Sequence, residues 1–295
     1  CKAAFDTDDA GNYMDTLIWS QTAKVARRLT AEGIDGYVTQ MAYQPYRRVP
    51  DVDLPANVLV MVAERGPWSI PFPDQLKLET DEIAAWAKKL GHKVWLWNYQ
   101  CKSGPMRPLK GIPQLSMRYW GEYYKTMPDL IIGAFAESET ERFSFNYLNW
   151  YVYSRVCWDT SADIEAILDE HFRLMFGAGA PEMAAYYGEL ERKWTREYAG
   201  NMVDTPLGPQ SMPPSENEIW TKVFSPNVMK ELAGLLAAAE RKAGAGTLEA
   251  RRVDLMRREL FGPLLAASKA YCGAGGIEGE KERRAAFPAG SDLLA

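Results

Sequence analysis

Four short apolar runs in this sequence each end in polar side chains: Tyr43-Gln44, Glu64-Arg65, Asn98-Tyr99-Gln100 and Glu137-Ser138-Glu139. Two carboxylates delivered to one rim, without a cofactor motif, suit a reaction in which one carboxyl protonates a leaving oxygen and another acts as base or nucleophile. Glycoside hydrolysis is that chemistry. Glu64 and Glu137 are the candidate pair. Glu64 also abuts Arg65, so an ion pair that holds the rim together is its alternative reading. Glu139 and Glu141 lie further into their loop and read as solvated. Asp6, Asp8 and Asp9 read either as another rim loop or as carboxylates favouring the start of a helix.

Sugar rings present apolar C–H faces edged by hydroxyls, which aromatic planes and polar neighbours can receive together. Trp68, in a Pro-rich loop just after Glu64-Arg65, is the better exposed candidate. Trp97 alternates with Leu96 on a strand and points the same way as Trp95. Tyr43, Arg65, Asn98 and Tyr99 complete the substrate-binding set. No metal and no cofactor are expected: Cys1, Cys101, Cys157 and Cys272 are far apart and lack ligand spacing. His92, ahead of a strand, and His171, on an apolar helix face, read as structural, which leaves a Ser-His-Asp or Cys-His mechanism few bases.

These residues need elements that bring them to one edge. Residues 12–32 read as a helix with Met14, Leu17, Ile18, Val25 and Leu29 on one face. Strand-like runs follow at 37–43 and 58–63, and the second is continuously apolar, as suits a strand covered on both faces. A helix capped by Thr80 and stopped by Gly91 leads to a strand at 93–98. A further helix carrying Trp120, Tyr123, Tyr124 and Met127 leads to a strand at 130–136. Strand starts near 58, 94 and 130 recur every 36 residues, which predicts βα units of a (β/α)₈ barrel, with a doubly wound sheet second. Four strands make half a barrel, so the expected organisation is a partial barrel over 1–143, a helical C-terminal domain over 144–272 and a flexible tail over 273–295. In the helical part, Ser161 or Thr160 reads as a cap, Ser225-Pro226 opens a third helix and a fourth runs from about Thr247 to Tyr271, while residues 205–214 read as a Pro-rich linker and Met183, Tyr186, Tyr187, Leu190 and Trp194 as a core stripe.

The chain's 295 residues easily support a large core, and its net charge of −5 lacks the basic excess of a nucleic-acid binder. No run of 18 apolar residues predicts a transmembrane segment. The chain opens at Cys1, which reads as a piece of a longer polypeptide or as a processed lipoprotein. Its 10 Trp and 15 Tyr either fill an aromatic core or line a stacking surface.

The segments Val60-Met-Val-Ala-Glu-Arg-Gly-Pro-Trp68, Val94-Trp-Leu-Trp-Asn-Tyr99, Gly133-Ala-Phe-Ala-Glu137, Tyr147-Leu-Asn-Trp-Tyr-Val152 and Trp158-Asp159 resemble a bacterial family of large, often secreted, glycosidase-like proteins. That family is a domain of unknown function related at fold level to α-glucuronidases and β-hexosaminidases. The resemblance runs from about residue 10 to 200. It implies a TIM barrel followed by helices, carbohydrate degradation, and a secreted, periplasmic or cell-surface location. By position it places Glu64 after strand six, Asn98 and Tyr99 after strand seven and Glu137 after strand eight. The hexosaminidases' Asp-Glu pair after strand four corresponds to Asp8-Asp9, which lacks the Glu, so the proton donor would lie upstream. The expected activity is hydrolysis of poly- or oligosaccharides. A carbohydrate-binding or surface scaffold without turnover is the alternative, and a helical protein-interaction module at 145–272 is a third reading.

Overall fold

A computed structural model describes residues 13–101, 111–138, 142–199, 202–205, 208–211, 214–273 and 276. Asp6, Asp8, Asp9, Glu139, Glu141 and almost all of the expected tail lie outside the described residues. The chain forms two compact units, one of Cys1–Gln100, Tyr119–Ser138 and Val156–Ser161, the other of Cys101–Arg118, Glu139–Arg155 and Ala162–Ala295.

The first unit is built on a four-stranded parallel sheet of β1 (Val38–Ala42), β2 (Val58–Ala63), β3 (Val94–Cys101) and β4 (Ile131–Ser138), in that spatial order. Val38 pairs with Val58 and Ala42 with Val62, while Met61 faces Trp95 and Ala63 faces Trp97. At the far side the Val94 amide donates to the Leu130 carbonyl at 3.0 Å. Helix α1 (Tyr13–Ala31) precedes β1, α2 (Pro73–Leu90) joins β2 to β3, and α3 (Met117–Lys125) joins β3 to β4. The fold class is mixed α/β with a parallel sheet.

Side chains alternate between the two faces of a strand, and the two faces of this sheet differ. Val58, Val60, Val62, Val94 and Leu96 are fully buried, each contributing roughly 1.5–3 kcal/mol of apolar burial. They lie on the face covered by helices. Leu59, Met61, Trp95, Trp97 and Tyr99, one position out of phase, are only half-buried. Gly133 is required there, because a Cβ on it would come within 2.9 Å of the Trp95 ring.

Two helices differ from their sequence reading. The buried stripe of α1 is Asp15, Trp19, Thr22, Ala23 and Ala26, whereas Val25 is 50% exposed. Small alanines let the helix approach closely, and Trp19 is fixed by its indole N–H, which donates to the Tyr46 carbonyl at 3.0 Å. Helix α2 starts at Pro73, not after Thr80. Thr80 sits inside it and returns its hydroxyl to the Leu76 carbonyl at 2.8 Å, a common refuge for a mid-helix threonine. The C-terminal end is as expected: Gly91 adopts φ 71° and its N–H closes on Ala87, a left-handed stop.

The second unit contains α4 (Tyr147–Trp158, whose last three residues count with the first unit), α5 (Ile164–Phe176), α6 (Ala180–Arg192), the short α7 (Glu216–Glu218), α8 (Pro226–Ala243), α9 (Leu248–Met256) and α10 (Gly262–Gly273). It is not wholly helical. An antiparallel pair, β5 (Met202–Thr205) and β6 (Gly208–Ser211), occupies much of the expected linker. Ser225 and Thr247 cap the helices that start at them, and Asp163, not Ser161 or Thr160, caps α5, accepting from the Glu165 amide at 2.8 Å. Met183, Tyr186, Tyr187, Leu190 and Trp194 are buried. His171 joins them: its Nε2 lies 3.1 Å from the Tyr147 hydroxyl, which is 3.0 Å from that of Tyr187. Burial pushes its pKa down to about 4, so it is neutral at pH 7.

Candidate functional site

The polar residues that follow the strands separate into a buried cluster on the helix-covered face and an aromatic patch on the open face. The cluster begins with the turn after β1. Gln44 takes φ 47°, a left-handed value unusual for a residue with a side chain, and Pro45 turns the chain so that Arg47 comes back over the helices. Indole N–H groups hold this turn: Trp19 on the Tyr46 carbonyl and Trp86 on the Arg47 carbonyl, each at 3.0 Å. The two rings pack 4.7 Å apart.

Arg47 forks onto Glu82 of α2, with Nε to Oε1 at 2.6 Å and Nη2 to Oε2 at 2.5 Å. The same Nη2 donates to both oxygens of Glu64, at 2.9 and 3.0 Å. Such a bidentate fork is the stronger and more directional of the two contacts. Glu64 is only 2% exposed. Burial first, and then the Glu79 carboxylate, raise its pKa against the pull of Arg47, to about 9. It therefore holds a proton at neutral pH and can still accept from Arg47.

Asn98 lies on the same face, fully buried. It accepts from the Tyr124 hydroxyl at 2.8 Å, and its Nδ2 lies 3.5 Å from the Glu64 carbonyl oxygen. Between them Gly66 adopts φ 76°, and a Cβ there would meet the Asn98 side chain at 2.8 Å. Glycine is needed on both counts.

On the open face, Trp97 and Phe135 lie with ring centroids 4.2 Å apart and planes tilted by 38°. Phe135 is 46% exposed. The Trp97 indole N–H donates to Glu137 Oε2 at 3.0 Å, so a half-buried carboxylate stands at the edge of an aromatic surface. An indole donor fixes the carboxylate's orientation and leaves its other oxygen for a ligand hydroxyl.

The structure thus brings Trp97 and Glu137 together, and Glu64 and Asn98 together, but on opposite faces. Trp68 is half-buried, its indole N–H donating to the Tyr99 carbonyl at 3.0 Å. Tyr43 is half-buried and its hydroxyl accepts from Gln44 Nε2 at 3.0 Å, while Arg65 is exposed. Sequence reasoning passed over Phe135, Arg47, Glu79 and Glu82. Phe135 was within reach, since it stands two residues before Glu137 and so shares its face. Nothing in the Pro-rich stretch after Tyr43 marks Arg47. Among the described residues, no group of three His, Cys, Asp or Glu side chains is placed to hold a metal ion, and no helix is long and apolar enough to cross a membrane.

No curated protein matches the chain significantly. A family model described as "Domain of unknown function (DUF4838)" matches residues 1–189. That span contains the whole parallel sheet, the Arg47–Glu64 cluster and the Trp97–Glu137 patch, and it shows that the chain belongs to this family.

Proposed function

We propose that the chain is a glycoside hydrolase-like module that receives a poly- or oligosaccharide on the open sheet face, the sheet forming part of a (β/α)₈ barrel. The observation that carries this reading is the Trp97–Phe135 surface with Glu137 held at its edge by the Trp97 indole at 3.0 Å. A pyranose stacks its C–H face on such a surface while a carboxylate meets its hydroxyls or its glycosidic oxygen. Glu137 is then the acid/base group. Glu64, protonated and sequestered, acts through the rim it braces. A secreted, periplasmic or cell-surface setting belongs to the same proposal.

Carbohydrate binding without turnover is the second reading. It is favoured by the Glu64 side chain facing α2, away from Glu137's face. Both readings are tested with a glycan panel that includes uronic-acid-bearing oligosaccharides. In the hydrolase reading, Glu137→Gln lowers turnover by about 10²–10⁴-fold with binding retained, and Trp97→Ala weakens binding about tenfold. Binding by wild type with no product released would select the scaffold reading. Unchanged binding and turnover in both variants would remove this face from the function.

A further inference from the structure

Glu79 is a fully buried carboxylate in the middle of α2, where an apolar side chain would be far cheaper to bury. Its surroundings explain why a carboxylate is kept. Oε1 accepts from the Ser69 hydroxyl at 2.5 Å and from Gln75 Nε2 at 3.1 Å, and Oε2 accepts from the Tyr123 hydroxyl at 3.2 Å. The backbone N–H of Gly66 donates to the same carboxylate. Two of these four donors come from the two ends of one four-residue turn, Gly66–Ser69, and between those ends stands Trp68.

The turn has little slack elsewhere. Gly66 presses on Asn98 so closely that no Cβ fits, and Trp68 is tied by its indole N–H to the Tyr99 carbonyl. Each tie alone is an ordinary hydrogen bond or contact. Together they fix a turn whose own backbone is too short to fix itself.

We propose that Glu79 is the positioning residue of the Trp68 turn, clamping Gly66 and Ser69 to α2 so that the indole is presented in one orientation beside the end of β3. The significance of Trp68 for a sugar rests on the function proposed above; the clamp does not. The groups that face Glu79 are Ser69 and Gly66 from the turn, Gln75 from its own helix and Tyr123 from α3, and the Glu64 carboxyl, just after β2, and the Arg47 guanidinium interact with it electrostatically.

Hydrogen exchange read by mass spectrometry on the full chain tests the clamp. In Glu79→Gln and, separately, Ser69→Ala, amides of residues 66–72 are expected to exchange about tenfold faster, while those of β2 and of α2 beyond residue 80 stay at the wild-type rate. Ser69→Ala removes one hydroxyl and leaves the buried carboxylate in place, so it remains informative if Glu79→Gln does not fold. Unchanged exchange over 66–72 in Ser69→Ala, or acceleration spread evenly over the sheet and α2 in both variants, would overturn the proposal. Glycan affinity of the same variants is the separate readout. If exchange rises over 66–72 and Ser69→Ala weakens binding as Trp68→Ala does, both readings stand. If exchange rises but wild type binds no glycan, the clamp stands and the sugar-binding role falls.

Discussion

Replacing Arg47 with methionine is expected to lower the free energy of unfolding by about 3 kcal/mol at pH 7, the upper end of the range for leaving a buried acceptor without its partner, because the lost donor is a charged one shared by two carboxyls. Glu64 is the costlier acceptor to strand, since its side chain keeps 1% of its exposure while that of Arg47 keeps 37%. Methionine preserves much of the aliphatic stem, so the loss isolates the guanidinium. Two carboxyls lose their donor at once: Glu82 loses its fork and Glu64 its shared Nη2. Urea unfolding followed by far-UV circular dichroism checks this as a lower midpoint at an unchanged slope. A companion change of Glu64 to leucine should recover part of the loss, because replacing both partners of a buried hydrogen bond by apolar groups leaves no acceptor unsatisfied. A loss under 1 kcal/mol in Arg47→Met would mean that the cluster contributes no more than an exposed surface pair.

The second large effect is on pH dependence. The folded protein holds the Glu64 proton up to about pH 9, whereas the unfolded chain releases it near 4.5. Between those values the native state binds more protons than the unfolded one, so stability falls as pH rises and levels off above about pH 9. The slope is up to about 1.4 kcal/mol per pH unit for one such group. Glu79, also raised chiefly by burial, adds to the same slope. His171 acts oppositely, but its folded value of about 4 and ordinary value of 6.5 confine its contribution to below pH 6.5. The carboxylates of Asp159, Glu170, Glu182 and Glu218 are shifted down chiefly by side-chain hydrogen bonds, so they titrate below the ordinary carboxylate range. Measured from pH 6.5 to 9, Glu64→Gln should therefore show a flatter decline than wild type and overtake it in stability towards alkaline pH. Parallel profiles for the two proteins would mean that Glu64 is ionised in the native state.

What the chain discloses before folding is uneven, and the reasons are physical. Strand β2 is legible to the residue because Val58–Ala63 is apolar throughout, and only a strand covered on one side and lined on the other needs that. The same uniformity hides which way Glu64 points. With no alternation in the run, its face is fixed only by pairing, which sets Ala63 opposite Trp97 and so turns the next residue towards the helices. Trp97 and Glu137 were readable as rim residues, yet their hydrogen bond spans 40 positions and depends on the β3–β4 pairing. The first turns of α2 were missed because part of the buried face there is Glu79, a polar residue that counts against an apolar stripe. On α1 the error ran the other way: large aliphatics suggested a buried face, but Trp19 with Ala23 and Ala26 lies closer to the sheet.

Gln44 has a consequence for sequence drift. A left-handed backbone at φ 47° costs an ordinary residue on the order of 1–2 kcal/mol. It is tolerated because Pro45 follows, two indoles hold the next carbonyls, and the Gln44 amide reaches the Tyr43 hydroxyl. Glycine, asparagine and aspartate can take that conformation; valine, isoleucine and threonine cannot without moving Arg47 off both carboxyls. Among descendants of this chain, position 44 is therefore confined to a few residue types by a side chain three positions away that it does not touch.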